Sequence, residues 1–135
     1  MDEVLSNETH IETSSAIDMN IVNHLKKNGQ ITDETYVICN GFKRDQYITN
    51  ISDFINSGHQ RCIPVIDNYQ ELSLLEEQIQ SKFDIGIRIA SEEDPKFQFY
   101  TSRLGIGYKN ILPFYKESIV NSEKVNLKML HLFIN

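Results

Sequence analysis

The sequence YVICNGFKRDQYITNISDFINSGHQRCIPVID, residues 36–67, contains one complete unit of the pattern that repeats along the chain. It opens and closes with short apolar runs, which predict strands at Tyr36–Asn40 and Cys62–Asp67. Between them, apolar residues recur with the spacing of one helical face: Tyr47, Ile51, Phe54 and Ile55. Gly58 fits the residue just past the end of that helix. Nearly continuous apolar strands are typical of a sheet covered on both faces, so the stretch predicts a strand–helix–strand unit with parallel strands.

The same alternation extends through the rest of the chain. Further strands are predicted at His10–Ser14, Asp84–Ala90 and Leu127–Asn135. Three more helical faces are predicted by apolar spacing: Ile17, Ile21 and Leu25; Leu72, Leu75 and Ile79; Ile111, Phe114, Tyr115 and Ile119. Ser15 and Asn68 are predicted to cap the first and third helices of the chain. Pro113 fits a helix only in its first turn.

The spacing of the repeats predicts the architecture. The first three strands start at residues 10, 36 and 62, which is close to the unit length of an eight-unit barrel of about 250 residues. Five strands and four helices correspond to about half of such a barrel. We therefore expect residues 1–135 to form a single domain of the α/β class, a partial parallel (β/α) barrel similar to a TIM barrel. A small doubly wound domain is the alternative, because it uses the same units but reverses the strand order at a switch point.

Composition narrows the class of partner. The net charge of −6 argues against nucleic-acid binding, which requires clustered Lys and Arg. No apolar run approaches the roughly 20 residues of a membrane helix, and the polar start MDEVLSNETH is not a secretory signal. Cys39 and Cys62 match no metal or redox spacing and are predicted to be buried free thiols. We therefore expect a cytoplasmic protein with no metal site and no nucleic-acid or membrane partner.

Functional residues are expected at the carboxyl ends of the strands, where both alternative architectures place their sites. Arg88 lies inside the apolar strand Ile85–Ala90, and a guanidinium there requires an anionic partner. Glu12, embedded in another strand end, is the predicted partner. Asp67 is interpreted as an ordinary polar strand end. Residues 91–108 form a long connection that carries Arg103 and is a second place to look for function. His10, His24 and His59 are interpreted as surface or boundary residues.

Five strings in register resemble the biosynthetic arginine decarboxylases, whose barrel is like that of alanine racemase. IETSS (residues 11–15) resembles "LEAGS", and YVICNGFK (36–43) resembles "ICNGYK". IGIRI (85–89) resembles "GVRI", SRLGI (102–106) resembles "SKFGL", and LHLFIN (130–135) resembles the start of "LHFHIGSQ". Each string falls at the corresponding point of a βα repeat.

This resemblance implies a function in polyamine biosynthesis. The family decarboxylates arginine to agmatine with pyridoxal 5'-phosphate, held as a Schiff base to a lysine, as the electron sink. The resemblance places that lysine upstream of Met1 and the phosphate-binding glycines downstream of Asn135. The chain would then be an internal, inactive fragment of a homo-oligomeric enzyme with a small amino-acid substrate. It would contain no catalytic residue, and the implied cofactor-binding residues are Glu12, Asn40, Arg88, His131 and Phe133.

One position departs from the family pattern. Phe133 stands where most relatives have the second histidine of "HFHIG", which stacks on the pyridoxal ring, and Asn135 stands where they have glycine. Phenylalanine can stack but cannot donate a hydrogen bond. A non-catalytic binding or regulatory homologue is therefore the alternative function. An ornithine or diaminopimelate decarboxylase is a variant of the first function, the decarboxylation of an amino acid.

Overall fold

The computed structural model describes residues 9–90 and 104–132. The strands are β1 (Ile11–Thr13), β2 (Val37–Cys39), β3 (Cys62–Ile66), β4 (Phe83–Ala90), β5 (Ile106–Gly107) and β6 (Val125–His131). The helices are α1 (Ala16–Lys27), α2 (Asp45–Asn56), α3 (Tyr69–Gln78) and α4 (Tyr108–Ser118). The five predicted strands and four predicted helices are thus all present, and the two-residue β5 is additional.

The strands pair in parallel and in chain order, which confirms the partial barrel. β1 pairs with β2, β2 with β3, and β3 with β4. β4 then pairs with β6 along most of its length and with the short β5 at its carboxyl end. The order does not reverse among the described strands, so the doubly wound alternative is wrong. β5 was not predicted, because two residues are too few to show the alternation of apolar and polar residues that marks a strand.

Three helix ends lie where the predicted capping residues indicate, namely the starts of α1 and α3 and the end of α2. The Ser15 hydroxyl accepts a hydrogen bond from the backbone N–H of Asp18 at 3.2 Å, and Asn68 Oδ1 accepts one from that of Glu71 at 3.0 Å. Gly58 follows the end of α2 with φ of +104°, a backbone conformation that side chains with a Cβ disfavour. These three predictions are confirmed.

The predicted apolar face of α1 is partly wrong. Ile17 and Ile21 are 71% and 44% exposed, whereas the buried side chains of the helix are Met19, Val22 and Leu25. Both sets have helical spacing, so the sequence alone cannot choose between them. Packing decides, because Met19 Sδ lies 3.6 Å from both Thr13 Oγ1 and Cys39 Sγ at the sheet.

Pro113 also lies elsewhere than predicted, in the second turn of α4. Proline there removes the hydrogen bond that its N–H would give to the carbonyl of Lys109. The buried anchors of this part are Phe114 and, at the end of the helix, Ile119. Tertiary packing through these two side chains compensates for a locally unfavourable residue.

The open edges of the sheet lead to a prediction. Within the described chain, β1 and β6 each pair with one neighbour, and Leu130 and Leu132 near the β6 edge are 52% and 53% exposed. Unpaired strand edges with apolar side chains favour association. In sedimentation velocity experiments, we expect the mass of the isolated chain to rise with concentration, and less so for Leu130→Lys/Leu132→Lys. A concentration-independent monomer of 15.7 kDa would contradict this expectation.

Candidate functional site

Strand register brings five polar side chains to one face of the sheet. Side chains alternate along a strand, and the residue pairs between strands are Glu12 with Ile38, Ile38 with Ile63, Val65 with Gly86 and Arg88 with His131. The face opposite the helices therefore carries what we call the inner polar layer: Glu12, Asn40, Asp67, Arg88 and His131. Each comes from the carboxyl end of a different strand. The sequence analysis named four of these residues as candidate site residues, and their convergence at the strand ends is confirmed: Glu12, Asn40, Arg88 and His131.

Asn40 connects three of the strands. Its Nδ2 donates to Glu12 Oε1 at 2.9 Å and lies 3.3 Å from His131 Nε2. Between β2 and β6, which carry Asn40 and His131, lie two other strands. Their side chains can meet only if the sheet curls around this face, as in a barrel. Next to this layer on the same face lies the half-buried Met129, for which Gly86 leaves room, since a Cβ at Gly86 would lie 2.9 Å from Met129 Cγ.

Arg88 forms its ion pair with Asp67 and not with Glu12. The distance from Arg88 Nε to Asp67 Oδ1 is 3.9 Å, and the two side chains are 11% and 2% exposed. The predicted Glu12 pair is wrong because β1 lies three strands away from β4, whereas β3 is its neighbour. The interpretation of Asp67 as an ordinary strand end is also wrong. The strand register explains the pair that does form. Val65 and Gly86 are paired in the sheet, Asp67 lies two residues after Val65, and Arg88 lies two residues after Gly86.

The Asp67 carboxyl is unusual in its hydrogen bonding. Neither of its oxygens accepts a hydrogen bond from a described residue, and the same is true of Asn40 Oδ1. Burial raises the pKa of Asp67, and the positive charges of Lys43 and Arg88 and the nearby His131 oppose that rise. The inner polar layer therefore contains buried acceptors together with one guanidinium.

A buried ion pair that the sequence did not reveal holds the ends of β2 and β3. Lys43 Nζ donates to the carbonyls of Gly41, at 2.9 Å, and Val65, and lies 3.4 Å from Glu71 Oε2. Glu71 also accepts from the backbone N–H groups of Lys43, at 3.1 Å, and Asp67, at 3.0 Å. We call this pair the Lys43–Glu71 clasp. Burial raises the pKa of Glu71, and the Lys43 charge opposes that shift.

The remaining predicted residues have mixed outcomes. Phe133, Arg103 and Asn135 lie outside the described residues. Cys39 and Cys62 are buried free thiols, as predicted, with their sulfur atoms 3.5 Å apart. His59 is fully buried, contrary to prediction, because it packs on Phe54 at 4.6 Å between ring centroids and its Nε2 lies 2.8 Å from the Thr35 carbonyl oxygen. His59 lies before β3 at the amino ends of the strands, away from the inner polar layer.

In residues 9–90 and 104–132, His, Cys, Asp and Glu side chains do not gather in threes as a metal ion would require. None of the four described helices has the length and apolar character needed to cross a membrane.

Comparison with known proteins relates the fold to a solved structure. No protein-family model matches the chain, and no curated protein matches it in sequence. The structure is similar to that of a lysine decarboxylase from Selenomonas ruminantium, with a TM-score of 0.70 and 14% sequence identity. The match covers 99% of this chain and 32% of the lysine decarboxylase, so the chain spans about a third of that protein's length. At this level of identity the similarity establishes the fold alone, a partial parallel βα barrel.

Proposed function

We propose that the chain forms one wall of a pyridoxal-phosphate-dependent amino-acid decarboxylase with arginine as its substrate. The observation that carries the proposal is the inner polar layer, because four of its five members lie in the strings that resemble arginine decarboxylases. The structural similarity to a lysine decarboxylase supports the same reaction class. In the proposed reaction, arginine loses its α-carboxylate as CO2 and gains a proton at that carbon, which gives agmatine.

The inner polar layer fits such a cofactor chemically. When bound, pyridoxal phosphate supplies an electron sink for the carbon that loses CO2. In our proposal, Arg88 provides a cation for an anionic group, and Asn40 and His131 position the ligand by hydrogen bonds. Glu12 provides a carboxylate for an N–H donor. Phe133 contributes an apolar ring surface. The acceptors that lack donors among the described residues, Asn40 Oδ1 and the Asp67 oxygens, fit a ligand that carries N–H groups.

The lysine for the Schiff base is proposed to come from another wall of the barrel. No described lysine belongs to the inner polar layer. Lys43 comes nearest to the ends of β2 and β3, but its ammonium group is engaged in the clasp. A non-catalytic homologue of the same barrel is the second candidate, and the observation that favours it is phenylalanine at position 133.

The test is decarboxylation by the full-length protein with Arg88 replaced by methionine. A hydrogen bond to a charged group contributes about 1.5–3 kcal/mol, which corresponds to about a 10- to 100-fold change in binding. We therefore expect Arg88→Met to weaken pyridoxal-phosphate binding by about that factor and to reduce CO2 release. Arg88→Lys should restore little, because an ammonium group does not reproduce the planar guanidinium.

The matched control is Arg61→Met. Arg61 also pairs with a carboxylate, that of Glu34, but it precedes β3 at the opposite end of the sheet. This variant should leave CO2 release unchanged. Assays with arginine, lysine, ornithine and diaminopimelate distinguish the substrates. Release of CO2 from none of them would favour the non-catalytic homologue, and full activity of Arg88→Met would refute the assigned role of Arg88.

A further inference from the structure

We propose that Asp67 is a positioning residue that fixes the Arg88 guanidinium in the inner polar layer. Its functional meaning rests on the proposed function, since Arg88 is the cation assigned there to an anionic ligand group. The pairing itself is a property of this chain and can be tested without any cofactor.

The geometry of the two strands carries the proposal. β3 and β4 are neighbours, and Val65 pairs with Gly86, so the next inward-facing residues of the two strands are Asp67 and Arg88. The Nε edge of the guanidinium faces Asp67 Oδ1 at 3.9 Å. Since the Asp67 side chain is 2% exposed and its oxygens accept no hydrogen bond from the described residues, solvent screens this attraction little.

The clasp prevents Asp67 from moving away. Its backbone N–H donates to Glu71 Oε2 at 3.0 Å, and Glu71 is paired with the buried Lys43. The carbonyl of Val65, two residues earlier, accepts from Lys43 Nζ. The main chain of Asp67 is thereby held between β3 and α3, and by alternation along the strand its side chain faces the inner polar layer.

Gly105 limits the movement of Arg88 on its other side. A Cβ at this position would lie 2.9 Å from the Arg88 carbonyl oxygen and 3.2 Å from Arg88 Cγ. The chain thus passes directly against the stem of Arg88 as β5 begins. The close approach of Gly105 to its stem and the position of Asp67 at its Nε edge limit the orientations that the guanidinium can take.

The test follows the Arg88 side chain by NMR in the chain as it stands. The sequence contains four arginines, so selective ¹⁵N labelling gives few Nε–Hε signals, and Arg88→Lys identifies the one from Arg88. Protonation of Asp67 removes the charge that faces Nε. The Arg88 signal should therefore shift with pH, with a midpoint above that of an ordinary aspartate because burial raises the Asp67 pKa.

Two variants make the assignment specific. Asp67→Asn, which keeps the shape and removes the charge, should abolish this titration. Asp84→Asn should leave it unchanged, although Asp84 also lies 3.9 Å from a cation, Lys128, because that pair is more exposed and lies at the other end of β4. The other charged or titratable groups that face Asp67 are Lys43 and Glu71 of the clasp, and His131 of β6.

The possible outcomes separate this inference from the proposed function. An Arg88 signal that does not shift with pH in the native chain would overturn the inference, even if Asp67→Asn does not fold. A titration that persists in Asp67→Asn would also overturn it, because His131 or Glu71 would then be its source. Loss of CO2 release in Arg88→Met would still support the decarboxylase in either case. A confirmed Asp67–Arg88 coupling in a protein without decarboxylase activity would leave the inference standing and the proposed function refuted.

Discussion

Replacing Lys43 with methionine is expected to lower the free energy of unfolding by about 3–5 kcal/mol, because removing one member of a buried ion pair leaves the other charge uncompensated. The Lys43 and Glu71 side chains are 0% and 4% exposed. The carbonyls of Gly41 and Val65 also lose their ammonium donor. Methionine has a similar unbranched stem, so packing changes little. Urea denaturation followed by circular dichroism measures the difference.

The pH dependence of that loss tests its cause. Without Lys43, the folded-state pKa of Glu71 should rise further above its unfolded value of about 4.3. A carboxyl with a raised folded-state pKa reduces stability above its unfolded pKa, and this penalty disappears as the pH falls below that value. The difference between Lys43→Met and the native chain should therefore be largest near neutral pH and shrink toward about pH 4–5.

The control for Lys43→Met is Lys116→Met, which removes an exposed lysine of α4. Its unfolding free energy should stay within about 0.5 kcal/mol of the native value. Equal losses for the two variants, or a loss for Lys43→Met that does not depend on pH, would show that Glu71 is not stranded in the folded state.

The second large effect is expected for Gly105→Ala. Gly105 has φ of +102°, and an added Cβ would lie 2.9 Å from both the Ala90 nitrogen and the Arg88 carbonyl oxygen. The unfavourable φ costs about 1–2 kcal/mol, and overpacking against the two atoms costs about 1–3 kcal/mol more. Because both are backbone atoms of β4, they cannot turn away as a side chain would. We expect β5 to separate from β4.

Gly58→Ala separates the two contributions. Gly58 has nearly the same φ, +104°, but an added Cβ would have no atom within 4 Å. This variant should therefore show only the cost of the backbone conformation. The Arg88 Nε–Hε signal should move in Gly105→Ala and stay in place in Gly58→Ala. If both variants lose the same stability and leave that signal unchanged, β5 does not press on Arg88.

Local sequence patterns determined the class of fold and the strand ends at which to look. Unbroken apolar runs such as Ile63–Ile66 require cover on both faces, which is typical of parallel strands with intervening helices. Alternation along a strand then fixes which residues share a face, because successive side chains point to opposite sides. These local patterns are sufficient to select Glu12 and Arg88, whereas Asn40 and His131 were selected by the family resemblance of their strings.

The partners of those residues were decided by the tertiary structure. Whether Arg88 meets Glu12 or Asp67 depends on which strands are neighbours, and no local pattern in a single sequence specifies that. Lys43 and Glu71 are 28 residues apart in the chain. Neither residue lies inside an apolar run, so no sequence pattern marks it for burial, and the hydrogen bonds that compensate its burial come from neighbours in the folded chain. The face of α1 was also undetermined, since Ile17 and Met19 both belong to helically spaced sets. The sheet selects Met19 because its thioether fits between Thr13 and Cys39.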